Sequence, residues 1–532
     1  MKGGRDPDIE SALAAMTAEE LRAFVRDILE SLDDEPRSAL LDALIARAAK
    51  GSSGWKPSGP SGRVVEEVRR FAQAARRVGY ADPTEVDAYL RQGTKAFLAG
   101  AHATARGVFE ALLPAIAGVE IDLGQHEMVD EVVTVNVREC AVQFVVSVYV
   151  TTPAEERARA VFGVLETIQG LASFWAPLEE MERAASGPLP QLDAFVPRWV
   201  KHLERQPPSE DEWEGDRDRW LREAILRLEG VAGLERIART TKKPEALRAW
   251  CTALVAKRQW AEALRAYDEA TTLTKSAWRG AFLDGAALAA RELGRRDAPE
   301  RLQAAWLGAP SLMRLLRWLG ANDPTVPVLV KRAQDAITRC PGKAGRQVGL
   351  LHVLTGDVHA AAKLLAKAPG LGWSSEDHPG HVLFPVFAGL LAQGTRATLS
   401  AELFASLRES PHDSWDMDWD NGGEEAPKLS TPSIAEILGR VRPAVSVDSK
   451  GREAMLEAMR TAATRRVEGI LGNKRRSHYG HAALLVACCL ELAPGVGEQS
   501  AVVEWVNDVR KRYARFHAFQ EECARALASI SS

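Results

Sequence analysis

Two groups of cations near the C-terminus have the residue types that bind phosphate. Arg465, Arg466, Lys474, Arg475 and Arg476 form the first. Arg510, Lys511, Arg512 and Arg515, beside Tyr513 and Phe516, form the second. Several cations presented together on helical faces neutralise nucleic-acid phosphates. Glu468, Glu504 and Asp508 are interleaved with them and weaken the field. The plainest reading is a solvated helical face. The functional alternatives are nucleic acid and an acidic protein segment, including this chain's own 409–425 stretch.

Three further constellations have metal-ligand types. Asp377, His378 and His381 lie in the loop WSSEDHPGH, where a His pair three residues apart beside a carboxylate resembles a ligand set. Pro379 and Gly380 instead mark a helix-linking turn. His478 and His481 repeat the spacing in SHYGH, which reads as a helix start. Asp416, Asp418 and Asp420 alternate as in a calcium loop, but that loop needs Gly at the sixth position and Glu at the twelfth. Here those positions are Asn421 and Pro427. The chain has no nucleophile elbow, phosphate loop or H-E-x-x-H in the right setting. The expectation is therefore no catalytic set, no metal and no cofactor, and so no enzyme.

Composition narrows the class. The 532 residues carry 68 Lys plus Arg against 72 Asp plus Glu, a net charge of −4, with 46% hydrophobic residues. That excludes a mainly disordered chain and a wholesale polyanion binder. The six cysteines are scattered with no C-x-x-C, so no disulfide or zinc framework is signalled, and adjacent Cys488 and Cys489 read as small buried hydrophobes. The start MKGGRDPDIE has no apolar signal region, and apolar runs such as His381–Ala392 and Ala482–Leu492 fall short of the ~18 residues that span a bilayer. A cytoplasmic location is expected. Tryptophan is over-used, with 14 Trp against 14 Phe and 6 Tyr. Trp220, Trp250, Trp306, Trp318 and Trp373 fall in helical blocks and suit helix packing. Trp55, Trp213, Trp415 and Trp419 sit in linker or acidic stretches, and are the candidates for contact with a partner.

The elements that must position these residues are helices. Leu21, Phe24, Val25, Ile28, Leu29 and Leu32 recur at spacings of three and four, and Thr17 with Glu20 makes a capping box. Residues 1–50 read as an acidic helical hairpin, and Gly51–Gly62 (GSSGWKPSGPSG) as a flexible linker. Helices fill 63–186, a Pro-rich acidic connection spans 187–215, and TPR-like helices fill 216–408. An acidic flexible loop covers 409–432, and a last helical block with the basic groups covers 433–532. Within this plan Val129–Val148 is Val-rich yet keeps a helical stripe, which predicts one helix. Thr152-Pro153-Ala154-Glu155 predicts the start of the next.

Repeats are the strongest signal. A tetratricopeptide hairpin, with a period of about 34 residues, needs small residues where its helices cross and large ones where neighbours dock. Tyr89–Leu112 supplies Gly93, a turn at Gly100, Ala105 and Phe109. Leu247–Ala270 supplies Trp250, Leu254, Ala263, Tyr267 and Ala270. Leu350–Ala368 supplies a turn at Gly356-Asp357, then Ala361, Leu365 and Ala368. The expected fold is all-α, a right-handed TPR-like α-solenoid of degenerate hairpins behind a small N-terminal helical module.

Several packing phrases carry a resemblance. WLREAILRLEGVAGLERIAR (220–239), APSLMRLLRWL (309–319), AAKLLAKAPGLGWSSEDHPG (361–380) and GNKRRSHYGHAALLVACC (472–489) resemble the helical-repeat region of bacterial SWIM-type zinc-finger proteins. So does TAEELRAFVRDILE near the start, and the likeness covers most of 10–530. The SWIM zinc motif itself is missing, since no C-x-C or C-x-H occurs. Zinc-dependent nucleic-acid binding is therefore not implied. The resemblance implies a bacterial scaffold whose partners include a MoxR-type AAA ATPase or a von Willebrand A-domain protein. The repeats, with their long concave surfaces, point the same way, to protein–protein interaction. Nucleic-acid binding through the basic C-terminal helices is the alternative.

Overall fold

The computed structural model describes residues 7–51, 53–126, 128–185, 187–393, 397–411, 427–441 and 447–530. Trp415, Trp419 and most of the acidic 409–432 stretch lie outside them. Among the described residues every extended element is a helix, and the only bridge pairs Tyr80 with Asp122. The chain forms two compact units, Met1–Ala246 and Leu247–Ser532. Residues 51–62 and 187–215 both fall inside the first.

Each unit is built from successive helical hairpins, and the small-to-large rule is visible atom by atom. Helices Pro83–Leu98 and His102–Ala117 meet across Gly100, whose φ of +81° suits glycine. A Cβ on Gly93 would lie 2.6 Å from the Phe109 ring, so glycine is what lets the two helices close. In the second unit Gly285, on helix Ser276–Glu292, does the same beneath Tyr267 of helix Trp260–Leu273. Gly356 at φ +82° turns Gly345–Leu354 into Val358–Lys367, where the Asp357 carboxylate caps Ala360 N–H at 3.0 Å.

The Trp residues expected in the core are there. Trp306 is fully buried, stacks on Trp318 at 5.3 Å and donates to Gln347 at 2.7 Å. In the first unit Trp199 is fully buried between Phe195 and Trp220, and Trp220 Nε1 donates to Phe174 O at 2.8 Å. Cys488 and Cys489 are wholly buried, and burial pushes the Cys488 thiol up to about 12.

Three local expectations need correction. Val129–Val148 is not one helix: a single 3-10 turn covers Val129–Glu131, and the α-helix runs only from Val137 to Thr151. The buried Asp87 carboxylate is the reason. It accepts the backbone N–H groups of Thr134 and Val135 at 3.0 and 3.1 Å, which removes both from a helical ladder. Asn136 then caps Glu139 N–H at 2.9 Å. Thr152 does not cap a helix either. The next one starts at Arg157, because the Thr152 hydroxyl accepts from Arg106 at 3.3 Å while its carbonyl accepts from Arg157 Nε at 3.0 Å. Finally, the run Arg476–Val496, 21 residues, is long and apolar enough to cross a membrane by length and composition. Its apolar faces pack inside the second unit, against helices Ser449–Gly472 and His517–Ala528.

Near the N-terminus, helices Pro7–Ala15, Ala18–Ser31 and Asp34–Lys50 precede the linker, one more than the expected hairpin. The Thr17–Glu20 capping box is formed. Arg91 ties the third of these helices to the hairpins through Asp42 at 2.8 Å.

Candidate functional site

The first unit carries an open groove of about 660 Å³. Phe144 and Val148, from helix Val137–Thr151, face it with Pro114 and Val164, while Arg106, Glu110, Glu156 and Arg159 stand around it. Helix Arg157–Thr167 places Gly163 on its edge, where an added Cβ would meet nothing within 4 Å. Arg106 is engaged by the Thr151 and Thr152 hydroxyls at 3.1 and 3.3 Å. Nothing in the repeat pattern singled out this groove. Its one sequence signal is a glycine in the middle of ARAVFGVLET, where glycine weakens a helix relative to alanine.

The tryptophans singled out for partner contact are placed as follows. Trp55 is 47% exposed, next to Lys56, which lines a smaller cavity of about 240 Å³ with Phe97, His102 and Leu189. Trp213 is 52% exposed on a braced loop: its carbonyl accepts from Ser209 Oγ and Lys243 Nζ at 3.2 and 3.3 Å. The buried Asp218 carboxylate holds Lys243 at 2.8 Å and Arg217 at 2.7 Å. Trp175, which the sequence pattern did not single out, is 65% exposed, with the Arg219 guanidinium 4.2 Å from its ring.

The nine C-terminal cations do not make one surface patch. Arg466 is only 7% exposed, lies 5.5 Å over the Trp373 ring and donates to Gly370 O at 3.3 Å. Arg465 donates to Ala368 O at 3.1 Å. Lys474, Arg475 and Arg476 are exposed just beyond the end of helix Ser449–Gly472. Arg510, Lys511 and Arg512 fill the last turn of Gln499–Arg512, where cations offset the negative end of the helix dipole. Arg512 pairs with Glu468 at 2.9 Å, which joins the two groups, and Arg515 lies 5.4 Å over Phe516.

Each histidine loop has one packed ring, His378 and His481, and one exposed ring, His381 and His478. His378 is buried, with Nδ1 accepting Gly380 N–H at 3.0 Å and Nε2 donating to Pro369 O at 2.8 Å. Both ring nitrogens are thereby used, so no lone pair faces a metal. The His481 ring stands edge-on to Trp373 at 5.3 Å, and burial pushes it down to about 4. Among the described residues no group of three or more His, Cys, Asp or Glu side chains comes together as metal ligands.

No family model and no curated protein matches the chain. Among solved structures it is similar to a circular tandem repeat protein with novel repeat topology and enhanced subunit contact surfaces, at 15% identity, covering 94% of this chain and 95% of that one. The TM-score is 0.15, and at that value the pairing carries no argument about function.

Proposed function

We propose that this protein is a non-enzymatic helical-repeat scaffold that holds a protein segment in the groove beside Gly163. The groove is the observation that carries the reading. Buried Phe144 and Val148 form its floor, partly exposed Pro114 and Val164 give it a solvated apolar wall, and Arg106, Glu110, Glu156 and Arg159 form a charged rim. A solvated apolar surface is stabilised when a partner's apolar side chains displace its water, and rim charges set register. The fitting occupant is a short segment whose apolar residues are flanked by charges of both signs. The finer reading, a bacterial cytoplasmic subunit partnering a MoxR-type AAA ATPase or a von Willebrand A-domain protein, rests on the packing phrases that resemble SWIM-type proteins.

The test compares captures by the full chain and by Gly163→Trp from a lysate of the native host. A partner held by the native chain and lost by the filled groove supports the reading. Identical captures overturn it. A second reading, nucleic-acid binding, is favoured by the exposed Lys474, Arg475 and Arg476. It predicts an affinity for DNA or RNA that falls steeply with salt. No binding at low salt ends it.

A further inference from the structure

In the second unit one buried cation, Arg466, lies over one buried indole, that of Trp373. Trp373 is 5% exposed in the middle of the loop between helices Val358–Lys367 and Gly380–Leu391. Gly370 in that loop and Gly469 on helix Ser449–Gly472 let the backbones approach closely: a Cβ on Gly469 would lie 3.1 Å from the Gly370 carbonyl carbon. This contact fixes where Trp373 and Arg466 meet.

Arg466 covers one side of the indole and His481 meets it edge-on. Arg346, 8% exposed, reaches the same loop and donates to the carbonyls of Trp373 and Ser374 at 3.2 and 2.8 Å. Arg346 has a carboxylate partner in Glu376, at 2.8 Å, whose own side chain is 64% exposed. Among the described residues no carboxylate pairs with Arg466. Another cation, the exposed Arg475, adds to the cost of its charge after burial itself. Arg466 Nε, Arg346 Nε, Trp373 Nε1 and His481 Nδ1 are all buried without a hydrogen-bond partner.

A buried guanidinium is costly unless an anion pairs with it, and an orphaned buried N–H adds its own penalty. The indole face offsets part of that cost through cation–π attraction. The rest requires negative charge. Guanidinium groups match phosphate oxygens through paired N–H donors, which lysines do not reproduce. Exposed Arg475, whose charge acts on Arg466, gives an incoming anion a further donor.

We propose that Arg466, seated on Trp373 and assisted by Arg475, forms a binding site for a phosphate monoester. The ligand's oxygens pair with Arg466 and Arg475 while the loop holding Trp373 forms the floor. The surrounding electrostatics agree: His378 and His481 are both held below the usual imidazole range, first by burial and then by neighbouring cations. A phosphate dianion supplies the charge that reverses the second of these effects. The site belongs to the second unit and its reading is independent of the groove in the first.

The test is calorimetric titration of the full chain with inorganic phosphate at pH 7.5, against chloride of matched ionic strength. One saturable site is expected, weakened about tenfold or more by Arg466→Gln, the scale of a lost charge-assisted hydrogen bond. Arg466 is buried and its variant can fail to fold. Arg475→Gln, on an exposed residue, is the second variant, and a severalfold loss is expected. Gly163→Trp leaves phosphate binding unchanged, which separates this site from the groove. No saturable heat above the chloride control overturns the proposal, as does unchanged affinity in Arg475→Gln. Acetate saturating the site where phosphate does not overturns the assignment of ligand class.

Discussion

The two units use the same hairpin grammar, and one space in each is finished differently. In the first, a groove with Gly163 on its edge lies open beside Phe144 and Val148. In the second, Trp373 is buried in a loop between helices and Arg466 lies over its ring. A solenoid repeat supplies hairpins, and what fills the space between them is decided by one or two residues that the repeat rule leaves free. An open groove offers a protein segment apolar wall. A cationic aromatic seat offers a small anion directed donors.

The comparison is broken most forcefully through the cores. Trp199→Ala is expected to cost about 3–5 kcal/mol in the first unit, and Trp306→Ala a similar amount in the second, because each removes a fully buried ring. Hydrogen exchange read separately over residues 63–241 and 260–528 checks that each loss stays in its own unit. Loss of protection spread evenly over both units contradicts the two-unit division.

Gly370→Ala comes next, at about 2–3 kcal/mol, since an added Cβ overlaps the Arg465 carbonyl and backbone cannot swing aside as a side chain does. Urea unfolding of the variant measures it. A change below about 0.5 kcal/mol, the ordinary surface-substitution range, shows that the loop seating Trp373 is soft.

pH sharpens the contrast through one buried group in each unit, Glu223 and His481, whose contributions have opposite sign. Glu223 in the first unit accepts the N–H groups of Leu178 and Glu179 at 3.2 and 2.9 Å, yet burial pushes its carboxyl up to about 7. The folded state then holds a proton that the unfolded state releases near 4.3, so stability is present below that pH and is lost as pH rises towards 7. His481 in the second unit is pushed down to about 4 by burial, then by Arg466, His381 and His478. The unfolded imidazole takes its proton near 6.5, so stability is present above that pH and is lost as pH falls towards 4. Each effect is expected to be on the order of 1–2 kcal/mol after solvent screening. Hydrogen exchange at pH 5 and pH 7.5 reads both, after correction for intrinsic exchange rates. His481→Leu reduces the acid response, leaving the part that comes from His378 and His381, and Glu223→Gln reduces the alkaline one, leaving the part from Glu214. The smallest expected effect is Gly163→Ala, a gain of about 0.5–1 kcal/mol confined to the first unit, because alanine fits the open space and favours the helix.

The hairpins were readable where packing is local. Gly93 with Phe109, the turn at Gly100 and the turn at Gly356-Asp357 all follow from spacing within one hairpin, and the structure places each as expected. The Val129 stripe misled because Asp87, more than forty residues earlier, claims the backbone donors that a helix there would need. Arg466 shows the same limit. In sequence it is one cation in a basic run, whereas in the fold it is buried while its neighbour Arg465 is exposed.

The sequence by itself determined the class of fold: helical periodicity, small residues at crossings, glycines past +60° in φ and buried tryptophans are properties of neighbours along the chain. The tertiary structure alone decided which cations face solvent, which tryptophan carries an arginine and where a groove stays open. Those outcomes depend on residues far apart in sequence meeting at a few ångströms. At that range burial and pairing, not residue type, set whether a charge is a solvated face or a seat for a ligand.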